Sequence, residues 1–165
     1  MESNKQRLWA PWKMEYVENK NSSQKIFTDL PNANNDEENL ILFRGEYSFI
    51  IMNRYPYNNG HLMIVPFREV NSIDLLEDKE LHEIISLSKE SVKILKEILN
   101  CDGFNLGANT GYGSGASIDQ HLHFHVVPRW KSDTSFMPVV GNTRVIHQSL
   151  SDTYGILKPL FNKLR

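Results

Sequence analysis

The chain has 165 residues, 40% hydrophobic and 23% charged, with 18 Lys and Arg against 20 Asp and Glu and a formal net charge of -2. That length suits one domain with an extended end and excludes a two-domain enzyme, while the composition excludes disorder along the whole chain. The near-neutral balance excludes a broad basic surface for nucleic acid, no apolar run approaches a membrane span, and the single cysteine, Cys101, excludes an internal disulfide.

Met1-Glu2-Ser3-Asn4-Lys5 has no apolar run behind a basic start, so neither a signal nor a transit peptide is visible, and a soluble cytoplasmic protein is expected. Leu8 to Val17 carries Trp9 and Trp12 around Pro11, which opposes a continuous helix, and reads as an arm packed on a surface. From Glu18 to Asn39 the chain is rich in Asn, Ser and Asp, with Ile26-Phe27 as its apolar anchor, and reads as a loop. Residues 1–39 are thus expected to form an arm and polar loop, and 40–165 the folded domain.

Leu40 to Phe43, Tyr47 to Asn53 and His61 to Pro66 are short, β-branched and aromatic, and read as strands. Arg54 to Gly60 supplies a long hairpin connection whose closing Asn59-Gly60 suits positive φ. A helix follows, with Ser72 or Asp74 as N-cap and Leu81, Ile84, Ile85, Val92, Leu95 and Leu99 at helical spacing, stopped by Asn100 to Gly103. Cys101 reads as a semi-buried residue at the helix end, without an activating neighbour, and His82 as a partly exposed helix histidine. Phe104 to Asn109 and His121 to Pro128 read as two further strands around a glycine-rich loop. Ser151 to Leu164 has helical spacing, with Pro159 predicting a kink or a late start. The order gives an α+β domain, an antiparallel sheet of about five strands with a long helix packed on it.

The chemistry concentrates in Gln120-His121-Leu122-His123-Phe124-His125-Val126-Val127. Strand alternation would place His121, His123 and His125 on one face and Leu122, Phe124 and Val126 on the other. Such a face can be a polar surface, a metal site, or a nucleophilic imidazole with supporting neighbours. Alternate residues are about 6.6 Å apart along a strand, which opposes convergence of all three on one ion. The nucleophile reading gains from Gly111-Tyr112-Gly113-Ser114-Gly115-Ala116-Ser117, a loop whose glycines let backbone N–H groups approach an anion. Attack by a neutral imidazole on phosphorus fits this assembly, with donors stabilising the developing charge.

His121-Leu122-His123-Phe124-His125-Val126-Val127 resembles the signature of the histidine triad (HIT) superfamily. The resemblance extends to Phe49 through Pro56 and to Gly60 through Pro66, which look like the family's amino-terminal hairpin. Leu8-Trp9-Ala10-Pro11-Trp12, Val127-Pro128-Arg129-Trp130 with Asp133, Phe136-Met137-Pro138 and Thr143-Arg144-Val145 are similar to the branch of bacterial diadenosine tetraphosphate phosphorylases, also called ATP adenylyltransferases.

The resemblance implies a HIT-like nucleotide-binding catalytic domain, a nucleotidyltransferase or hydrolase acting at the α-phosphorus of an adenine nucleotide. His123 corresponds to the nucleophile that forms a covalent nucleotidyl-histidine, with His121 and His125 as the flanking histidines that bind phosphate oxygens. It assigns Asn53 to ribose, His61 to the hairpin histidine near the centre, Asn109 to sugar or phosphate, and Gly115 and Ser117 to the phosphates. Ile51 and neighbouring apolar residues would form the base pocket. Phosphorolysis would give ADP and ATP, with water as the acceptor in a hydrolase. A purine nucleoside phosphoramidate hydrolase, and a nucleotide- or metal-binding regulatory module without turnover, are the alternatives.

The superfamily's usual homodimer is expected, with no nucleic-acid or membrane partner. No cofactor is required beyond a magnesium-complexed substrate. Many bacterial relatives hold a structural zinc through a Cys-x-x-Cys and a further histidine, together with the residue matching His121. This chain has Lys25-Ile26-Phe27-Thr28 and Glu69 there, so structural zinc is expected to be absent, with packing around Ile26-Phe27 in its place. His82 and His147 receive no role.

Overall fold

The computed structural model describes residues 25–134 and 148–164. The Leu8 to Val17 arm, the segments around Phe136-Met137-Pro138 and Thr143-Arg144-Val145, and His147 lie outside the described residues.

Five strands form one antiparallel sheet: β1 (Ile41–Arg44), β2 (Ser48–Met52), β3 (Leu62–Pro66), β4 (Gly103–Ala108) and β5 (Phe124–Arg129), in the order β1-β2-β3-β5-β4. Every residue of β2 and β3 is buried, as a central pair covered on both faces requires. Ile51 of β2 pairs with Met63 of β3, which pairs with His125 of β5, so these three side chains stand in one row across the sheet. The expected α+β architecture is therefore observed.

The long helix α2 (Asp78–Leu99) packs against β2, β3 and β5. It begins later than the expected cap at Ser72 or Asp74; Ser72 instead precedes a short 3₁₀ turn, Ile73–Leu75, and Asp74 lies within it. Glu77 is the N-cap, and the Glu80 carboxylate accepts the Glu77 N–H at 2.8 Å while pairing with Arg68, a capping box that satisfies the first turn. Of the six spaced apolar residues, Ile84 and Leu95 are buried, whereas Ile85 is half exposed. Asn100 ends the helix in the left-handed conformation, and Cys101 behind it is buried, which pushes its thiol pKa up.

Two helices differ from expectation. Part of the predicted 18–39 loop is a helix, α1 (Ile26–Asn32), whose Phe27 is 3% exposed. The carboxyl-terminal helix α3 (Leu150–Phe161) starts at a Ser149 cap and runs through Pro159, without the late start offered as one outcome of that proline. Pro159 has no N–H to give the carbonyl of Gly155 four residues earlier, and both residues are exposed. Tyr154 donates its hydroxyl to the Ile41 carbonyl at 3.1 Å, and Lys158 reaches the same oxygen at 2.9 Å, tying α3 to β1.

Gly60 closes the β2–β3 connection at φ 72°, and a Cβ there would collide with the Leu99 side chain of α2. Gly60→Ala should therefore destabilise the fold by about 2–4 kcal/mol, the left-handed cost plus overpacking. Gly155→Ala, which meets nothing within 4 Å on α3, should stabilise it by about 0.5–1 kcal/mol. Urea unfolding of both variants checks this pair of opposite signs.

Candidate active site

The three histidines of the motif do not share one strand. Leu122 donates its N–H to the Val70 carbonyl at 2.6 Å, so residues 121–123 run beside the β3–α2 connection, and pairing with β3 starts at Phe124 opposite Ile64. The strand expected from His121 thus begins three residues later, at Phe124, and only His125 belongs to it.

This departure sets the imidazole protons. His123 Nδ1 lies 2.9 Å from the His121 carbonyl oxygen. A carbonyl only accepts, so Nδ1 carries the hydrogen and donates; in the neutral ring Nε2 then keeps a bare lone pair. Burial holds the His123 pKa below its ordinary 6.5, which favours that neutral ring.

His125 takes the opposite tautomer through a chain of donors. The Tyr57 N–H, at 3.1 Å, and the Asn53 side-chain amide, at 3.3 Å, both approach His61 Nδ1, making that nitrogen the acceptor. His61 Nε2–H then donates to His125 Nδ1 at 2.9 Å, leaving His125 Nε2 as the N–H. Burial, with the neighbouring imidazoles, pushes the pKa of His61 down to about 3 and that of His125 down to about 4. A bare nitrogen on His123 and an N–H on His125, with ring centres 4.8 Å apart, put a group able to act as a nucleophile beside a hydrogen-bond donor.

Both histidines border a chamber of about 330 Å³. Its apolar part is lined by Ile26, Phe27 and Leu30 of α1 together with Leu40, Ile51 and Met63. Its polar part is lined by Asn53, Asn109, Gly115 and Ser117. Asn53 is held by the Tyr55 N–H on its Oδ1 at 2.9 Å, and Asn109 donates to the Ser114 carbonyl at 2.7 Å, bracing the glycine loop. Gly111, Gly113 and Gly115 all have positive φ, so this turn needs glycine. Arg54, the only lining side chain with a full formal charge among the described residues, supplies a cation at the chamber.

Seven of the nine expected site residues line the chamber; His61 and His121 do not. His61 is 1% exposed and acts from behind His125. His121 is 2% exposed, its Nε2–H donates to the Pro66 carbonyl at 2.8 Å, and its backbone carbonyl accepts from His123 Nδ1. The structure adds Phe27, Leu30, Arg54 and Tyr57 to the chamber wall. Phe27 reads in sequence as a packing anchor, and the aromatic pair Tyr55 and Tyr57 within a polar turn was the available signal for the other wall.

Among the described residues no group of three or more His, Cys, Asp or Glu side chains could hold a metal ion. At the position where relatives are expected to bind zinc, the Thr28 hydroxyl donates to Glu69 at 3.4 Å and Phe27 packs edge-on to His121 at 5.7 Å. That donor set does not fit zinc, which takes thiolate and imidazole ligands in structural sites. No helix among the described residues is long and apolar enough to cross a membrane.

A HIT domain family model matches residues 34–132. The chain is 40% identical over 161 residues to the AP-4-A phosphorylase of Mycobacterium tuberculosis, an alignment covering 92% of this chain and 82% of the relative. It is 29% identical over 93 residues to the bis(5'-adenosyl)-triphosphatase of Dictyostelium discoideum, covering 56% and 62% of the two chains. A Zn-bound histidine triad family protein from Mycobacterium smegmatis has the same fold, with a TM-score of 0.68 at 19% identity over 86% of this chain and 95% of that one.

The depressed imidazoles give a signed pH dependence. The unfolded chain takes up protons near pH 6.5, whereas folded His125 and His61 resist them until about 4 and 3, so stability is full above 6.5 and falls as the pH drops below it. Unfolding free energies measured at pH 6.5 and pH 5 should show this loss in the wild type and a smaller loss in His61→Gln; equal losses would contradict a buried neutral His61.

Proposed function

The chain belongs to the HIT domain family, and on that premise we propose that it cleaves dinucleoside polyphosphates of the diadenosine tetraphosphate kind through a nucleotidyl group carried on His123. The observation that carries this is the bare Nε2 of His123, held by a main-chain acceptor, next to the Nε2–H of His125 at the border of a chamber with an apolar half.

The adenine occupies the apolar half, with Ile51 against the base, and the ribose lies where that half meets the polar part, at Asn53. His123 Nε2 forms a bond to the α-phosphorus as the bond to the leaving oxygen breaks, and ATP departs from diadenosine tetraphosphate with that electron pair. His125 Nε2–H donates to a phosphate oxygen as charge builds, with Asn109, Gly115 and Ser117 around the remaining oxygens. Inorganic phosphate then attacks the same phosphorus, the nitrogen–phosphorus bond breaks, and ADP leaves with His123 neutral again. Two in-line displacements give retention at phosphorus. The 40% identity to a phosphorylase supports phosphate as the acceptor, and magnesium enters only with the substrate.

The protein performs this as a cytoplasmic homodimer without structural zinc, α1 being held by Phe27 and by the Thr28–Glu69 bond. Metal analysis of the purified protein should find no stoichiometric zinc; one zinc per chain would overturn this part.

Incubation with diadenosine tetraphosphate and phosphate should yield ADP and ATP; AMP and ATP in equal amounts would make the enzyme a hydrolase, and no cleavage would reject the proposal. His123→Asn should lower kcat by more than about 10³-fold and abolish the acid-labile nucleotidyl adduct, whereas His125→Gln should cost about 10²-fold and still form it.

A further inference from the structure

We propose that Asn58 and Asp133 are positioning residues for the reaction, a clip on the β2–β3 connection that holds His61 in the tautomer His125 needs; this rests on the nucleotidyl-transfer reading given above. In sequence, Val127-Pro128-Arg129-Trp130 with Asp133 follows directly on the triad. Among the described residues that line the chamber, none comes from that stretch. Its polar contacts converge instead on one side chain of the β2–β3 connection, Asn58.

Asn58 opens a turn that the His61 N–H closes by donating to the Asn58 carbonyl at 3.1 Å, with Gly60 in the left-handed conformation at its third position. One residue earlier, the Tyr57 N–H donates to His61 Nδ1 at 3.1 Å. The backbone direction at residues 57 and 58 therefore decides where the His61 ring stands and which of its nitrogens accepts. The Asn58 side-chain amide ties that backbone to β5, because its nitrogen donates to the Pro128 carbonyl and to the Asp133 carboxylate, each at 3.0 Å. Both partners only accept, so the nitrogen of the amide must face them. Pro128 is three residues beyond His125 on the same strand, about 10 Å along it, so the clip joins the supports of His61 and His125 in one frame.

Asp133 is an acceptor held in place. Its carboxylate also takes the Arg129 Nε–H at 2.6 Å and the Trp130 N–H at 3.1 Å, and its side chain is only 15% exposed. Charge-assisted bonds of this kind are short and directional, which keeps the carboxylate aimed at Asn58. Without the clip, the Tyr57 N–H is no longer obliged to point at His61 Nδ1. His61 can then carry its hydrogen on Nδ1 and accept at Nε2, which turns round the 2.9 Å bond between the two rings. His125 Nδ1 becomes the donor, and its Nε2 loses the hydrogen offered to phosphate.

The test uses Asn58→Asp, which keeps the shape of the side chain, removes both amide hydrogens and sets a second carboxylate against Asp133. Nitrogen–proton spectra of the histidine rings at pH 7 should show a share of His125 with its proton on Nδ1 that the wild type lacks. With diadenosine tetraphosphate and phosphate, kcat and kcat/KM should fall together by about 10- to 100-fold. Adding Asp133→Asn returns an amide donor to the pair and should recover part of both readouts. Asn58→Ala, which adds no charge, should give the same altered spectrum if Asn58→Asp does not fold. An unchanged His125 proton in a variant with a cooperative urea transition, or a loss of activity that Asp133→Asn does not relieve, would overturn the clip. A wild-type protein that cleaves nothing would reject the reaction instead, and the spectra would still decide whether Asn58 sets the His125 proton.

Discussion

The hydrogen bond from His123 Nδ1–H to the carbonyl oxygen of His121, 2.9 Å long, decides that Nε2 is the nitrogen left bare on this chamber-lining imidazole. A neutral hydrogen bond contributes only about 1 kcal/mol to stability, but the acceptor is main chain and cannot supply a proton, so the choice of tautomer is fixed by covalent structure. The carbonyl is available because residues 121–123 leave the strand ladder and Leu122 bonds to Val70 instead. With regular pairing through all three histidines, that carbonyl would have faced a neighbouring strand. The sheet therefore supplies a fixed His125, and the break at its edge supplies an oriented His123.

Around this bond the site is organised to keep imidazoles neutral. His61, His123 and His125 are desolvated together, and the hydrogen bonds among Tyr57, His61 and His125 run in one direction, His61 accepting at Nδ1 from Tyr57 and donating from Nε2 to His125 Nδ1. Neutral rings suit a nucleophile and a hydrogen-bond donor at once, without the repulsion that clustered imidazolium ions would bring. Arg54, exposed at the wall, is the only formally charged side chain lining the chamber among the described residues. The net charge of -2 therefore does not describe the chamber, whose character is set by local groups.

Much of the sheet was legible because Leu40 to Met52 and His61 to Pro66 combine β-branched and aromatic residues between clear turns. Gly60 likewise occupies the positive φ that its sequence position predicts. The triad was legible as chemistry, and the family resemblance led to Asn53, Asn109, Gly115, Ser117 and His123, all of which border the chamber. The break at Phe124 was hidden, since His-apolar alternation continues across it and the cause is a contact with Val70, distant in sequence. Helix α1 was hidden for a similar reason: Pro31 and its polar neighbours read as a loop, and burial of Phe27 against His121 and His123 holds the helix. The start of α2 was misplaced because Glu77 and Glu80, paired with Arg68, do the capping that Ser72 and Asp74 promise by residue type. The direction of the His121 ring depends on the Pro66 carbonyl, which no local pattern reveals.

Two-bond nitrogen–proton correlation spectroscopy of the histidine rings at pH 7 tests the central assignment most directly. His123 should appear neutral with its proton on Nδ1 and a bare Nε2, and His125 neutral with its proton on Nε2. A His123 ring carrying its proton on Nε2, or charged at that pH, would contradict a nucleophile set by the His121 carbonyl.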